Sequence, residues 1–117
     1  MITTWPQLRD LALGLNLPEV TTAYPFGHET LKAFGKNWVY WAARIDAAVF
    51  KCDKDERDLL RQADPDAFAF HSHYEPYPLL LIRPGHIDSD WARARLIRSW
   101  RDLAPKRFLK TWDAQNA

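Results

Sequence analysis

Residues 29–53 read ETLKAFGKNWVYWAARIDAAVFKCD, three β-rich runs separated by two short breaks. Gly35-Lys36-Asn37 supplies turn chemistry after Phe34, and Arg44-Ile45-Asp46 supplies a second break after Ala43. In the middle run Trp38, Tyr40 and Ala42 alternate with Val39, Trp41 and Ala43, so both faces are apolar or aromatic. A strand written that way is covered on both sides, or it shows an aromatic surface to a partner. Strands joined by turns this tight run antiparallel.

Outward from this meander, the periodicity switches to helical on both sides. Thr4 with Gln7 forms a capping-box pattern, Pro6 falls in the first turn, and Trp5, Leu8, Leu11, Ala12 and Leu15 recur at helical spacing. A core-facing helix is expected over roughly 4–14, followed by a short β-type run, Val20–Tyr24, that Pro25-Phe26-Gly27 stops. Downstream, Asp53 with Glu56 predicts a capped second helix with a narrow stripe of Leu59, Leu60 and Ala63, ended by Pro65. Arg57 and Arg61 suit its dipole and are most simply structural.

Phe68–Pro78 is irregular, because Pro76 and Pro78 forbid a central strand there, whereas Leu79–Ile82 is a buried strand stopped by Pro84-Gly85. A last long helix spans roughly 89–104, capped by Asp88 or Ser89. Its wheel buries Leu96, Ile97, Trp100 and Ala104, sends Arg95, Arg98 and Asp102 toward water, and leaves Arg93 on the apolar side. Pro105 then starts a short helix or turn over Lys106–Trp112. Strands in a meander with helices before and after make the fold class α+β: two layers, an antiparallel sheet packed against helices.

The chain has 117 residues, 47% of them hydrophobic and 26% charged, the size and composition of one globular domain spanning 1–117. Six Trp and six Phe in so short a chain must fill a core or build an interface. No apolar run is long enough to span a bilayer, and MITTWPQL lacks a signal peptide's basic start, so a cytoplasmic protein with no membrane partner is expected. One cysteine, Cys52, leaves no internal disulfide and no multi-cysteine metal site. Net charge is +1, but its distribution is uneven. Residues 1–82 carry 8 basic against 11 acidic side chains, and residues 83–110 carry 8 against 3. A polyanion would favour that C-terminal third if its charges share a face; otherwise they are the solvated side of a helix.

Catalytic patterns are missing. No nucleophile elbow, zinc-protease helix, P-loop or dinucleotide fingerprint occurs, so the expected class is non-enzymatic, with no catalytic residues and no cofactor. Cys52 is in phase with Phe50 and reads as a core residue beside a helix start, not a nucleophile. His71-Ser72-His73 places two imidazoles on one side of an extended segment, but a metal site needs further ligands. His28, His86, Glu75 and Asp88 are unanchored by any motif, so no metal is assigned. The remaining signal is aromatic residues interleaved with basic ones, Lys36, Trp38 and Tyr40 at the first turn, Arg44 and Lys51 around the second. Basic hairpin tips can sit on phosphates and aromatics can stack unpaired bases. Equally, Trp38 and Trp41 are core and the lysines only solubilise turns.

In this order of elements the chain resembles the MmcQ/YjbR family of small bacterial proteins. The residues that carry the likeness are Pro25-Phe26-Gly27, Phe34-Gly35-Lys36 with an aromatic following, Val49-Phe50-Lys51 leading into Glu56–Leu60, and Ser99-Trp100-Arg101-Asp102-Leu103-Ala104-Pro105-Lys106-Arg107. The likeness covers about residues 5–109; each motif is short, and specificity comes from their order and spacing. Relatives usually open the late strand with a Trp, where this chain has Tyr77-Pro78-Leu79. The resemblance implies an α-β(3)-α-β(2)-α order and, through a likeness of two hairpins to a double wing, DNA binding. It brings no catalytic residues, and Lys36 and Lys51 match its recurrent lysines. The expected function is therefore DNA binding through hairpins and a basic C-terminal region, with Lys36, Trp38, Arg44, Lys51, Arg95, Arg98, Lys106 and Arg107 as the nucleic-acid-binding residues. Two alternatives stand beside it: a protein-interaction module or homodimer using an aromatic sheet face, and a small-ligand binder with a cavity beside Trp38, Trp41 and His71.

Overall fold

A computed structural model describes residues 1–117. Helix α1 (Trp5–Gly14) leads into strand β1 (Val20–Ala23), a 3-10 turn at Pro25–Gly27, and strands β2 (Thr30–Ala33), β3 (Lys36–Ala42) and β4 (Ala47–Lys51). Helix α2 (Lys54–Ala63), strands β5 (Phe68–Ala69) and β6 (Leu79–Ile82), and helices α3 (Ser89–Leu103) and α4 (Lys106–Gln115) follow. One six-stranded sheet runs β1-β2-β3-β4-β6-β5, and every neighbouring pair is antiparallel. The fold is the expected α+β arrangement. Relative to the α-β(3)-α-β(2)-α order, β1 adds a fourth strand before α2, and α4 adds a helix after α3. No helix is long and apolar enough to cross a membrane.

The meander folds as its pattern predicts except at one point. Between Leu31/Lys32 the β2–β3 register shifts, with Leu31 opposite Val39 and Lys32 opposite Asn37. Trp38 is the extra residue, a β-bulge that puts it on the same side as Val39. Its ring enters the core beneath α3, and its indole N–H donates to Leu96 O at 3.0 Å and Ser99 Oγ at 3.1 Å. From the bulge onward the phase is regular. Val39, Ala48, Phe50, Leu80 and Ile82 face the helices, while Tyr40, Ala42, Val49 and Leu81 face the other way and form a second, smaller cluster. The β2–β3 turn is centred on Phe34 and Gly35, at φ 53 and 77, one residue earlier than its Gly-Lys-Asn signal suggested. Phe34 holds this left-handed conformation while packing at 5.0 Å from Phe108 and 5.6 Å from Trp100.

Two helix faces differ from the wheel reading. On α3 the buried stripe is Ala92, Arg95, Leu96, Ser99 and Trp100, so Arg95 is inside and Ile97, at 40% exposure, is outside. A buried guanidinium requires a partner, and Glu56 supplies it in a two-pronged contact at 2.6 and 3.1 Å. Glu56 therefore faces across to α3 instead of closing a capping box, and the Asp53 side chain makes no cap hydrogen bond. Arg93, expected on the apolar side, is exposed and pairs with Asp90 at 2.8 Å. On α2 the deepest side chain is Arg57, 4% exposed, whereas Leu59 faces solvent. Helix α4 extends beyond the expected Lys106–Trp112 and docks Phe108 and Trp112 against Trp100.

Candidate functional site

The helices cover one face of the sheet. The opposite face is covered in part by the strap between β5 and β6, residues 70–78, with Arg57 and Arg61 of α2 reaching beneath it beside Ala69 and Leu81, and the uncovered part is a trough along β3. Its larger portion has a volume of ≈ 510 Å³ and is bounded by Thr30, Asn37, Tyr40 and Ala42 on the sheet. Phe26 and His28 at the 3-10 turn, Arg44 at the β3–β4 turn, and His71, His73 and Tyr74 on the strap complete its walls. A second hollow of ≈ 280 Å³ shares Asn37, Tyr40, His73 and Tyr74 with the first and continues to Lys51 and Tyr77. The two make one channel. Arg44 stands at one end, Lys51 at the other, and no Asp or Glu lines either part.

Each wall has a local cause. Alternation after the Trp38 bulge aims Tyr40 into the channel. Its partial burial, with Tyr74 nearby, pushes its phenol up to about 12. The strap cannot pair as a strand through Pro76 and Pro78, and α2 holds it instead. Arg57 donates to Glu75 O at 3.1 Å, Tyr77 O at 2.8 Å and Glu75 Oε1 at 3.0 Å. Arg61 adds contacts of 2.8 and 3.0 Å to the same carboxylate, and these hold Glu75 below the usual carboxylate range. At the other end, Glu29 ties the 24–29 loop to α1. It accepts from the Trp5 indole at 2.7 Å, Arg9 at 3.3 Å and the Tyr24 hydroxyl at 3.3 Å, and the Trp5 hydrogen bond leads in keeping its carboxyl ionised.

The eight basic and aromatic residues singled out from the sequence do not form one surface. Trp38 is 1% exposed with its indole N–H satisfied inside, so it cannot stack on a ligand. Arg95 is 9% exposed and neutralised by Glu56, so it cannot meet a phosphate. Arg98 is exposed, shares Glu56 at 3.4 Å, and lines a separate hollow with Lys51, Asp53 and Asp102. Lys106 and Arg107 are exposed in the first turn of α4, in the helical layer. Lys36 opens β3 and Arg44 lies in the turn beyond its end at Ala42, and the strand between them spans roughly 20 Å at ~3.3 Å per residue. Only Arg44 and Lys51 of the eight line the channel.

A cavity does lie beside Trp41 and His71, as the ligand-binding alternative required, although Trp38 is not part of it. The ring centroids of His71 and His73 are 6.5 Å apart and the His71 Nδ1 accepts from the His73 backbone N–H at 3.1 Å, and no third His, Cys, Asp or Glu is grouped with them as a metal ligand. Among the channel residues, Phe26, His28, Asn37 and Tyr74 are not in the expected binding set, although Phe26 lies in the Pro25-Phe26-Gly27 motif and Asn37 in the first turn signal. The phase of Tyr40, Val49 and Lys51 held part of the signal, but the bulge that sets it leaves no mark in the sequence. Cys52 is buried as expected, and burial pushes its thiol up to about 11.

A family model described as YjbR matches residues 15–102, from just before β1 to near the end of α3. That span is narrower than the 5–109 likeness and leaves α4 outside it. No curated protein and no solved structure gives a significant match.

Proposed function

The chain belongs to the YjbR family, and we propose that its uncovered sheet face binds nucleic acid, DNA in the first instance, without catalysing a reaction on it. The observation that carries this reading is the composition of the channel: cations at both ends, aromatic and histidine side chains between them, and no carboxylate in its lining. A polyanion with planar bases is complementary to such a surface, because phosphates meet Arg44 and Lys51 while rings lie on Tyr40 and Tyr74. Proteins that read nucleic acid on an open sheet use the same division, stacking roughly two or three bases. This moves the contact from hairpin tips to the strand between them.

Titration of a labelled oligonucleotide at several salt concentrations tests it. Two phosphate contacts contribute about 1.4 to the slope of log K against log salt for a single strand. The Arg44→Gln/Lys51→Gln double variant is expected to lose that much slope while folding normally. A double variant with wild-type affinity and slope would sink the proposal.

A second reading, self-association through the same face, draws on Tyr24, Phe26, Phe70 and Tyr77, each more than half exposed. It predicts a mass that rises with concentration in sedimentation, and a constant monomer mass rules it out.

A further inference from the structure

Five non-glycine residues have left-handed backbone, Asn16, Glu19, Phe26, Phe34 and Asp46. Asn and Asp tolerate this region, and Asp46 also accepts the Trp41 indole at 2.9 Å. Glu19 accepts the Phe34 backbone N–H at 2.9 Å, and Phe34 packs into the aromatic cluster of α3 and α4. Phe26 is different. It sits at φ 54 and ψ 29 with its side chain 100% exposed, so the chain holds a large apolar ring in strained backbone and gains no internal contact. Strain that persists without an internal compensation marks a site where the geometry serves a ligand.

The surroundings keep Phe26 in place. Pro25 precedes it and Gly27 follows at φ 81. The turn is closed by Gly27 N–H to Tyr24 O and His28 N–H to Pro25 O, both 3.1 Å. Tyr24 is anchored through Glu29 to α1. The ring stands at the Arg44 end of the channel, where no acidic side chain lines the wall. An exposed ring carried on a held backbone, in the same wall as a guanidinium, suits the free face of an unpaired base whose phosphate reaches the cation. In a continuous duplex both faces of each base are already stacked.

We infer that Phe26 is a stacking platform that makes the channel selective for unpaired nucleotides, single strands or loops, over continuous duplex. This rests on the reading of the open face given above. The test compares wild type, Phe26→Gly and Phe26→Leu by fluorescence anisotropy with a short oligothymidine, an abasic strand of equal length and a duplex. Glycine relieves the left-handed strain, and leucine keeps the strain while removing the aromatic ring.

The wild type is expected to prefer the single strand over the duplex. Both variants should lose about 5- to 150-fold in single-strand affinity, the range for one stacked base, and bind the abasic strand and the duplex as the wild type does. Phe26→Gly should melt at the wild-type temperature or above it, which separates lost stacking from lost folding. Unchanged single-strand affinity in both variants, with Arg44→Gln/Lys51→Gln still weakening binding, would overturn the role of Phe26 and leave the open face standing. Failure of the wild type to bind any of the three at low salt would overturn both.

Discussion

Replacing Arg57 by methionine keeps most of the buried stem and removes the clamp on the strap. Three hydrogen bonds from the guanidinium reach Glu75 and Tyr77, and one from a charged donor contributes about 1.5–3 kcal/mol. Two discounts apply. Glu75 keeps its contacts to Arg61, and the strap lies at the surface, where water can replace part of the loss. The two carbonyl contacts then dominate, and the expected destabilisation is roughly 2–3 kcal/mol. For a chain of this size that lowers Tm by about 8–12 °C.

Arg61→Met provides the internal comparison, because its partners Asp58 and Glu75 are both solvent-accessible, and its cost should stay below about 1 kcal/mol. Urea denaturation measures both, with an unchanged m value showing that the unfolded states match. Oligonucleotide affinity should fall with Arg57→Met, since the strap carries His71, His73 and Tyr74 into the channel. Equal small losses for the two variants would refute the clamp.

Further expectations concern the other buried charges and the thiol. Arg95→Ala alone leaves the partly exposed Glu56 carboxylate with only its longer contact to Arg98 and should cost roughly 2 kcal/mol, below the ~3–5 of a fully buried pair, whereas the Arg95→Met/Glu56→Leu pair should recover most of that loss in thermal melts. Glu29, Glu56 and Glu75 are held below their ordinary values, chiefly by hydrogen bonds from Trp5, Arg95 and Arg61 respectively. The folded state then binds fewer protons than the unfolded one in acid. Their stabilisation is complete above the unfolded carboxyl range near ~4.3 and is lost as pH falls toward the lower folded values. Tm followed from neutral pH downward should therefore be flat and then decline, with the decline shallower in Glu29→Gln. Cys52, buried with its thiol raised to about 11, should resist thiol reagents at neutral pH until denaturant is added.

Much of the fold was legible because its signals are local. The alternation of Ala47–Lys51, the Pro and Gly stops, and the Thr4 and Asp88 caps each act within a few residues, and each placed an element close to where it lies. The misreadings share a physical origin in long-range partners. Arg95 looked like a surface residue because a wheel ranks side chains by polarity, and its burial depends on Glu56, 39 positions away. Arg57 is inside for the same reason, with partners on a strap 18 and 20 positions downstream. Trp38, expected either on a binding surface or in the core, lies in the core because a bulge shifts its phase, and a one-residue slip exchanges the faces of a strand. The site was less legible than the fold. Its lining comes from a 3-10 turn, four strands, a hairpin turn and a strap, and no spacing rule joins them.

Ligand is expected on the uncovered face of β3 and not on the helical layer. Backbone amide shifts recorded by NMR during titration with a short single-stranded oligonucleotide test it most directly. Saturable changes are expected at Phe26, Asn37, Tyr40, Arg44, Lys51, His73 and Tyr74, with Arg98, Lys106 and Arg107 unmoved. Changes confined to α3 and α4, or none at low salt, would contradict it.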